Sequence, residues 1–167
     1  MFSSLLTVTM NFNSLFLSGI LVWITQLLLA DFLAINTVRP DFIVILVLYW
    51  SLRYGRLIGI VFGFFIGLLV DLSGTASFFG LSPLTYTITG YLGGNLIGKY
   101  STMSLLYFSL AWIGVIAFHF LVFSLVQYQH IFGVNTFLFW SKWFGTCLYT
   151  LCFAGILQFI YPLHKIN

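Results

Sequence analysis

Three acidic residues supply all the side-chain carboxylates of this chain. They are Asp31, Asp41 and Asp71, and the 167-residue sequence contains no Glu. Two carboxylates on one side of a protein can act as a general acid and a general base, and Asp31 with Asp71 is the pair that fits. No serine and histidine stand in a context typical of a catalytic triad. An enzyme that uses Asp31 and Asp71 is therefore a hypothesis with little sequence context behind it.

The histidines do not suggest a metal site. His119 and His130 are eleven residues apart, and no Cys, Asp or Glu joins them at a spacing typical of metal ligands. We expect His119, which lies in an apolar segment, to be hydrogen-bonded inside the fold. The sequence has no phosphate-binding glycine loop and no basic cluster of the size that nucleic acids require. It predicts a protein that is not an enzyme and that uses no metal, no cofactor and no nucleic acid.

The composition indicates a membrane protein. Hydrophobic residues make up 61% of the chain and charged residues 5%, whereas a soluble domain is about 25% charged. The apolar runs are continuous and lack the alternating polarity of a membrane β-barrel strand. The prediction is an all-α, polytopic integral membrane protein in which residues 1–167 form a single transmembrane domain.

The apolar segments predict six transmembrane helices, of which the second is short. Their approximate bounds are Leu15–Leu33, Asp41–Leu52, Arg56–Leu72, Pro83–Gly98, Met103–Val126 and Trp143–Tyr161. Ser82 is the predicted N-cap of the fourth, with Pro83 at its first position. The second segment is about 18 Å long at 1.5 Å per residue, whereas a bilayer core is about 30 Å thick. It either extends through Tyr54 or begins inside the protein, where other helices must cover its end.

The basic residues predict the orientation. With six spans, Arg53, Arg56, Lys99 and Lys165 share one side, and that side has no acidic residue. Arg39 and Lys142 lie on the other side with all three aspartates. Cytoplasmic loops carry the excess of Lys and Arg, so we predict that both termini are cytoplasmic.

An ion pair is predicted at the outer face. An isolated charge near hydrocarbon costs at least about 2.5–3.5 kcal/mol, and pairing lowers that cost. The outer-face candidates are Arg39, Asp71, Asp31 and Asp41, and we expect Arg39 to pair with Asp71 or Asp31. In the alternative, each charge lies separately among the lipid headgroups.

Two series of glycines predict close helix contacts. They are Gly55, Gly59, Gly63 and Gly67 in the third segment, and Gly90, Gly94 and Gly98 in the fourth. Glycines four residues apart let helix backbones approach in a bilayer. Either these glycines pack helices of this chain together, or they form a face that receives a helix from a partner.

Residues 39–92 resemble the rod shape-determining protein MreD family. The resemblance lies in RPDFIVILVLYW, an arginine-containing turn, GIVFGFFIGLLVDLSG and a later apolar helix with GYL. The matching points are Arg39-Pro40, Tyr49-Trp50, Gly63, Gly67 and Asp71. The motifs cover about a third of the chain, and the length and span count agree over the rest.

The resemblance implies a non-enzymatic subunit of the bacterial elongation machinery in the cytoplasmic (inner) membrane. Members of the family bind MreC, a single-span protein with a large external domain. Together they link MreB filaments to RodA and its class B penicillin-binding protein, and so influence cell shape through peptidoglycan synthesis. The lipid bilayer is the other expected partner.

A second function follows from a likeness in fold. The family is similar to the six-helix substrate-binding subunits of energy-coupling-factor vitamin transporters, which bind a ligand near the outer face. A small-molecule transporter subunit is therefore the alternative. Against it, the predicted outer loops are short and carry few polar groups.

Overall fold

The computed structural model describes residues 12–35, 38–74 and 78–160. The helices in these ranges are α1 Phe12–Phe32, α2 Phe42–Tyr54, α3 Arg56–Leu72, α4 Leu81–Gly94, α5 Leu105–Gln127, α6 Gln129–Val134 and α7 Thr136–Ile160, with a 3-10 turn at Lys99–Ser101. Ile35 and Val38 form an isolated antiparallel bridge, and no longer β-structure occurs in the described ranges. The predicted all-α class is confirmed.

Helix α2 lies at the centre of the bundle and contacts α1, α3, α4, α5 and α7. Its 13 residues span about 20 Å, and the side chains of Ile43, Val44 and Val47 are each 0% exposed. It extends through Tyr54, as one alternative predicted. Side chains of α1, α4 and α7 hydrogen-bond the residues at its start. A start at membrane depth remains a prediction.

Helices α3 and α4 form the most extensive helix pair of the fold. Helix α3 has the predicted bounds. At the start of α4, the predicted N-cap and the predicted position of Pro83 are both wrong. The N-cap is Gly80 and not Ser82, because Gly80 has a left-handed backbone with φ 95° that turns the chain into the helix. Pro83 therefore lies at the third helical position, where a missing N–H costs no intrahelical bond.

The other end of α4 also differs from the prediction. The helix ends at Gly94 instead of Gly98, because Leu96 N donates to the Gly93 carbonyl at 3.0 Å and tightens the chain into turns. Gly98 then adopts φ 69° before the 3-10 turn.

The last third of the chain contains one helix more than predicted. No helix was predicted between Val126 and Trp143, but a turn at Tyr128 leads directly into the short α6. Helix α7 begins at Thr136 instead of Trp143. Asn135 accounts for this early start, since its Oδ1 accepts a hydrogen bond from Leu138 N at 3.0 Å, as a capping side chain does.

One described helix, α5, is both long and apolar enough to cross a membrane. Shorter apolar stretches cover Leu15–Leu29 and Phe42–Tyr54. The six-span arrangement remains a prediction.

Candidate functional site

Polar groups gather where α2 begins, in the interior of an apolar bundle. Gln26 of α1 donates from Nε2 to the Pro40 carbonyl at 3.0 Å and accepts from Phe42 N at 2.8 Å. One glutamine side chain thus bonds the backbone on both sides of Asp41. This matters because the first N–H groups of a helix have no partner within the helix.

Asp41 caps α2. Its Oδ1 accepts hydrogen bonds from Ile43 N at 2.9 Å and Val44 N at 3.0 Å. Its own backbone N–H donates to Thr150 Oγ1 of α7 at 3.2 Å. Together with the bond from Phe42 to Gln26, these contacts satisfy the first three N–H groups of α2 without water. The negative charge also lies at the positive end of the helix dipole.

The other oxygen of Asp41 contacts two further helices. Tyr86 of α4 donates its hydroxyl to Asp41 Oδ2 at 2.8 Å. His119 Nε2 of α5 lies 3.8 Å from the same oxygen, and the His119 side chain is 1% exposed while that of Asp41 is 16% exposed. The Tyr86 hydroxyl and the His119 imidazole therefore both lie beside one carboxylate oxygen of Asp41.

The second ring nitrogen of His119 is also engaged. Its Nδ1 lies 2.8 Å from Thr89 Oγ1 and 3.3 Å from the Thr85 carbonyl. Since the Thr89 hydroxyl donates to the Thr85 carbonyl at 2.9 Å, its oxygen can accept a hydrogen bond from Nδ1 in the tautomer that is protonated there. The imidazole also stacks on the Tyr86 ring, with centroids 5.2 Å apart.

We call this set the Asp41 cluster. Its members are Gln26, Asp41, Thr85, Tyr86, Thr89, His119 and Thr150. It joins α1, α2, α4, α5 and α7 through hydrogen bonds. Its polar groups bond mainly one another and the backbone at the start of α2. Among the described residues, no three His, Cys, Asp or Glu side chains are grouped to hold a metal ion.

Asp71 lies apart from the hydrogen bonds of the cluster, near the C-terminal end of α3. Its side chain is buried, and its Oδ2 accepts the N–H of Gly80, the residue that caps α4. The other oxygen, Oδ1, has no hydrogen-bond partner within the described residues. Asp71 therefore links the end of α3 to the start of α4 by a hydrogen bond.

Arg39 is exposed and lies close to the end of α5. Burial raises the pKa of Tyr128, and the positive charge of Arg39 opposes that rise. Lys142 Nζ lies 4.8 Å from the centroid of the same tyrosine ring. The pairing of Arg39 with Asp31 or Asp71 remains a prediction. The Asp31 side chain is outside the described residues, and the described bond of Asp71 goes to Gly80.

Three of the predicted glycines form the α3 side of the contact between α3 and α4. A Cβ atom on Gly59 would lie 2.9 Å from the Gly90 carbonyl oxygen, one on Gly63 would lie 2.7 Å from the Tyr86 carbonyl oxygen, and one on Gly67 would lie 2.6 Å from Pro83 Cα. Real Cβ atoms do not approach backbone this closely. These glycines therefore hold two helices of this chain at backbone contact.

The remaining predicted glycines have different surroundings. A Cβ on Gly90 would overlap the Gly59 backbone, and one on Gly94 would overlap the Arg56 backbone, so both belong to the same contact. Gly55 and Gly98 do not. Nothing lies within 4 Å of a Cβ at either position, and both have positive φ angles of 94° and 69°. Gly55 follows the last residue of α2 and Gly98 precedes the 3-10 turn, and at both places glycine is favoured for its backbone conformation.

Sequence reasoning identified part of the cluster and missed the rest. Asp41 was singled out, and His119 is hydrogen-bonded as its apolar segment predicted. Tyr86, Thr89, Thr150 and Gln26 were missed. The available signal was weak: each is a polar residue inside an apolar helix, but such residues can also bond to their own helix, as Thr89 does.

Comparisons with known proteins give one match. A family profile described as "MreD: rod shape-determining protein MreD" matches residues 5–164. No curated protein and no solved structure gives a significant match.

Proposed function

Because the chain belongs to the rod shape-determining protein MreD family, we propose that it is a non-enzymatic membrane subunit of the bacterial rod complex. In this role it binds MreC and helps control cell shape through peptidoglycan synthesis. MreB, RodA and a class B penicillin-binding protein are its further proposed associates. The observation that carries the proposal is the family match over residues 5–164 of the 167-residue chain.

The packing supports a scaffold. The glycines of α3 face α4 of the same chain, so this contact builds the bundle and is not available to a helix from a partner. The apolar residues on the outer side of α3, such as Leu57, Phe65 and Leu72, are exposed by 59–73%. Lipid and the single transmembrane helix of MreC are the proposed neighbours of such outer surfaces.

The proposed location is the bacterial cytoplasmic membrane, with six spans and both termini in the cytoplasm. The α2–α3 turn then faces the cytoplasm with Arg53 and Arg56, and the Asp41 end of α2 faces outward. Family membership and the long apolar helix α5 support a membrane location. The distribution of basic residues supports the orientation.

The alternatives gain no support from the described residues. In the Asp41 cluster, the polar atoms bond one another and do not line an open site for a vitamin-like ligand. The hydrogen bond that Asp71 accepts within the described residues comes from the cap of α4. We therefore propose neither transport nor catalysis.

A depletion experiment tests the proposal. Cells that lose their own copy of this protein are expected to become round, and expression of an affinity-tagged copy is expected to restore the rod shape. MreC is expected to co-purify with the tagged chain from detergent-solubilised membranes. Unchanged cell shape on depletion, together with no recovery of MreC, would contradict the proposal.

A further inference from the structure

Three exposed basic side chains lie together at one end of the bundle. Arg53 ends α2 and Arg56 begins α3, with Gly55 between them. The backbone of Gly94 packs against that of Arg56, which brings the end of α4 to the same place. Lys99 follows within a turn, since its N–H donates to the Leu96 carbonyl at 3.2 Å. We call Arg53, Arg56 and Lys99 the basic end.

Aromatic rings and an amide hold the two guanidinium groups in place. Arg53 lies over the Tyr54 ring and Arg56 over the Tyr91 ring, each with Cζ 5.4 Å from the ring centroid. Arg56 Nη1 also donates to Asn95 Oδ1 at 3.4 Å. A guanidinium that rests on a ring keeps N–H donors at its edge for another acceptor. Each guanidinium therefore has a ring beside it and N–H groups that can still donate to a ligand.

Within the described ranges, no acidic side chain lies beside these cations. The three acidic residues of the chain are all at the other end: Asp31 lies in the last turn of α1, Asp41 caps the start of α2, and Asp71 lies near the end of α3. About 18 Å of helix separates Asp41 from Arg53. Arg39 and Lys142 share the acidic end, so positive charge is uncompensated only at the basic end among the described residues.

We propose that the basic end binds the phosphate of an anionic phospholipid headgroup, such as that of phosphatidylglycerol. An arginine fork matches the oxygens of a phosphate, and basic residues at the end of membrane helices attract anionic lipid. Exposed apolar residues on the same helices, Leu57 of α3 and Tyr91 of α4, lie beside the arginines and provide contact for the acyl chains. The site requires that α2–α4 lie in a bilayer, but it does not require MreC or any other protein.

Native mass spectrometry of the full chain in detergent micelles tests the site. Phosphatidylglycerol is expected to bind more tightly than phosphatidylcholine with the same acyl chains. Each of R53Q, R56Q and K99Q is expected to weaken phosphatidylglycerol binding about fivefold, as one basic residue near a membrane surface does. R56K keeps the charge but loses the planar fork, so its binding is expected to lie between that of the unmodified chain and that of R56Q.

The control is K142Q, which removes the same charge at the other end. It is expected to leave phosphatidylglycerol binding unchanged. Equal loss in K142Q and R56Q would show attraction by net charge alone and would overturn the proposal. So would equal binding of the two lipids by the unmodified chain, or displacement of phosphatidylglycerol by millimolar glycerol phosphate, which would indicate a site for soluble phosphates. Thermal unfolding of each variant shows that the fold is retained, because all three side chains are exposed.

Discussion

Asp41 shows how a charged residue is accommodated inside an apolar bundle. A buried charge is costly unless several hydrogen bonds replace its water shell. Here one oxygen bonds two backbone N–H groups of α2, and the other accepts the Tyr86 hydroxyl near His119. The same residue both starts a helix and bonds two others, so its loss should affect more than local structure.

Replacing Tyr86 by Phe tests the bond to the carboxylate. Loss of a hydrogen bond to a charged group is expected to lower the free energy of unfolding by about 1.5–3 kcal/mol, because Asp41 Oδ2 loses its described hydroxyl donor. Chemical unfolding in dodecylmaltoside micelles measures this free energy of unfolding. Tyr91→Phe on the same helix is the control, since Tyr91 is 46% exposed and the ring under Arg56 is kept. Equal stability of the two variants would contradict the role of this bond.

Two substitutions of Asp41 distinguish its role as a helix cap from the effect of its charge. Asp41→Asn keeps an oxygen that can cap α2, whereas Asp41→Ala removes it and is expected to cost about 0.5–2 kcal/mol more, as lost N-caps do. The same unfolding assay compares the two. If Asp41→Ala is as stable as Asp41→Asn, then the bonds to Ile43 and Val44 are not needed to begin the helix.

At the scale of helices, the fold depends on the backbone contact between α3 and α4. In lipid, apolar side chains gain little by leaving lipid for one another, so close packing stabilises helix pairs. Gly59, Gly63 and Gly67 allow this packing along α3. Ser51 of α2 fills the space beside Gly59 and Gly93, which brings the third helix to the same contact.

Gly63→Ala tests the contact with a single methyl group. The new Cβ would lie 2.7 Å from the Tyr86 carbonyl oxygen, so the helices must separate, at an expected cost of about 1–3 kcal/mol in stability. Gly114→Ala in α5 is the matched control, because nothing lies within 4 Å of its Cβ; its stability is expected to be unchanged or slightly greater. The stability of both variants is measured as the fraction of protein that stays monodisperse after heating in detergent. A tolerated Gly63→Ala would mean that α3 and α4 are not held at backbone contact.

At the scale of the whole molecule, charge is divided between the two ends of the bundle. The basic end carries Arg53, Arg56 and Lys99, while the three aspartates lie at the other end. This asymmetry is the basis of the proposed orientation, in which the basic end is cytoplasmic.

Cysteine labelling in intact cells tests the orientation. In a chain with Cys147→Ala and Cys152→Ala, a cysteine introduced by His130→Cys is expected to react with a membrane-impermeant maleimide added outside. One introduced by Ser101→Cys is expected to react only after the membrane is opened. Both positions are exposed, so access depends on the side of the membrane. Labelling of Ser101→Cys in intact cells would contradict the proposed orientation.

The sequence by itself determined the all-α class of this protein, most helix positions and the glycines at which helix backbones can approach. These follow from local properties: continuous apolar runs, Asp41 after a proline, and glycines at four-residue spacing. Tertiary structure decided the rest, because it depends on which helices become neighbours. Only the packed bundle brings Gln26, Tyr86, His119 and Thr150 to Asp41 across distant parts of the chain. It also brings Gly80, the residue that caps α4, to the carboxylate of Asp71 at the end of α3.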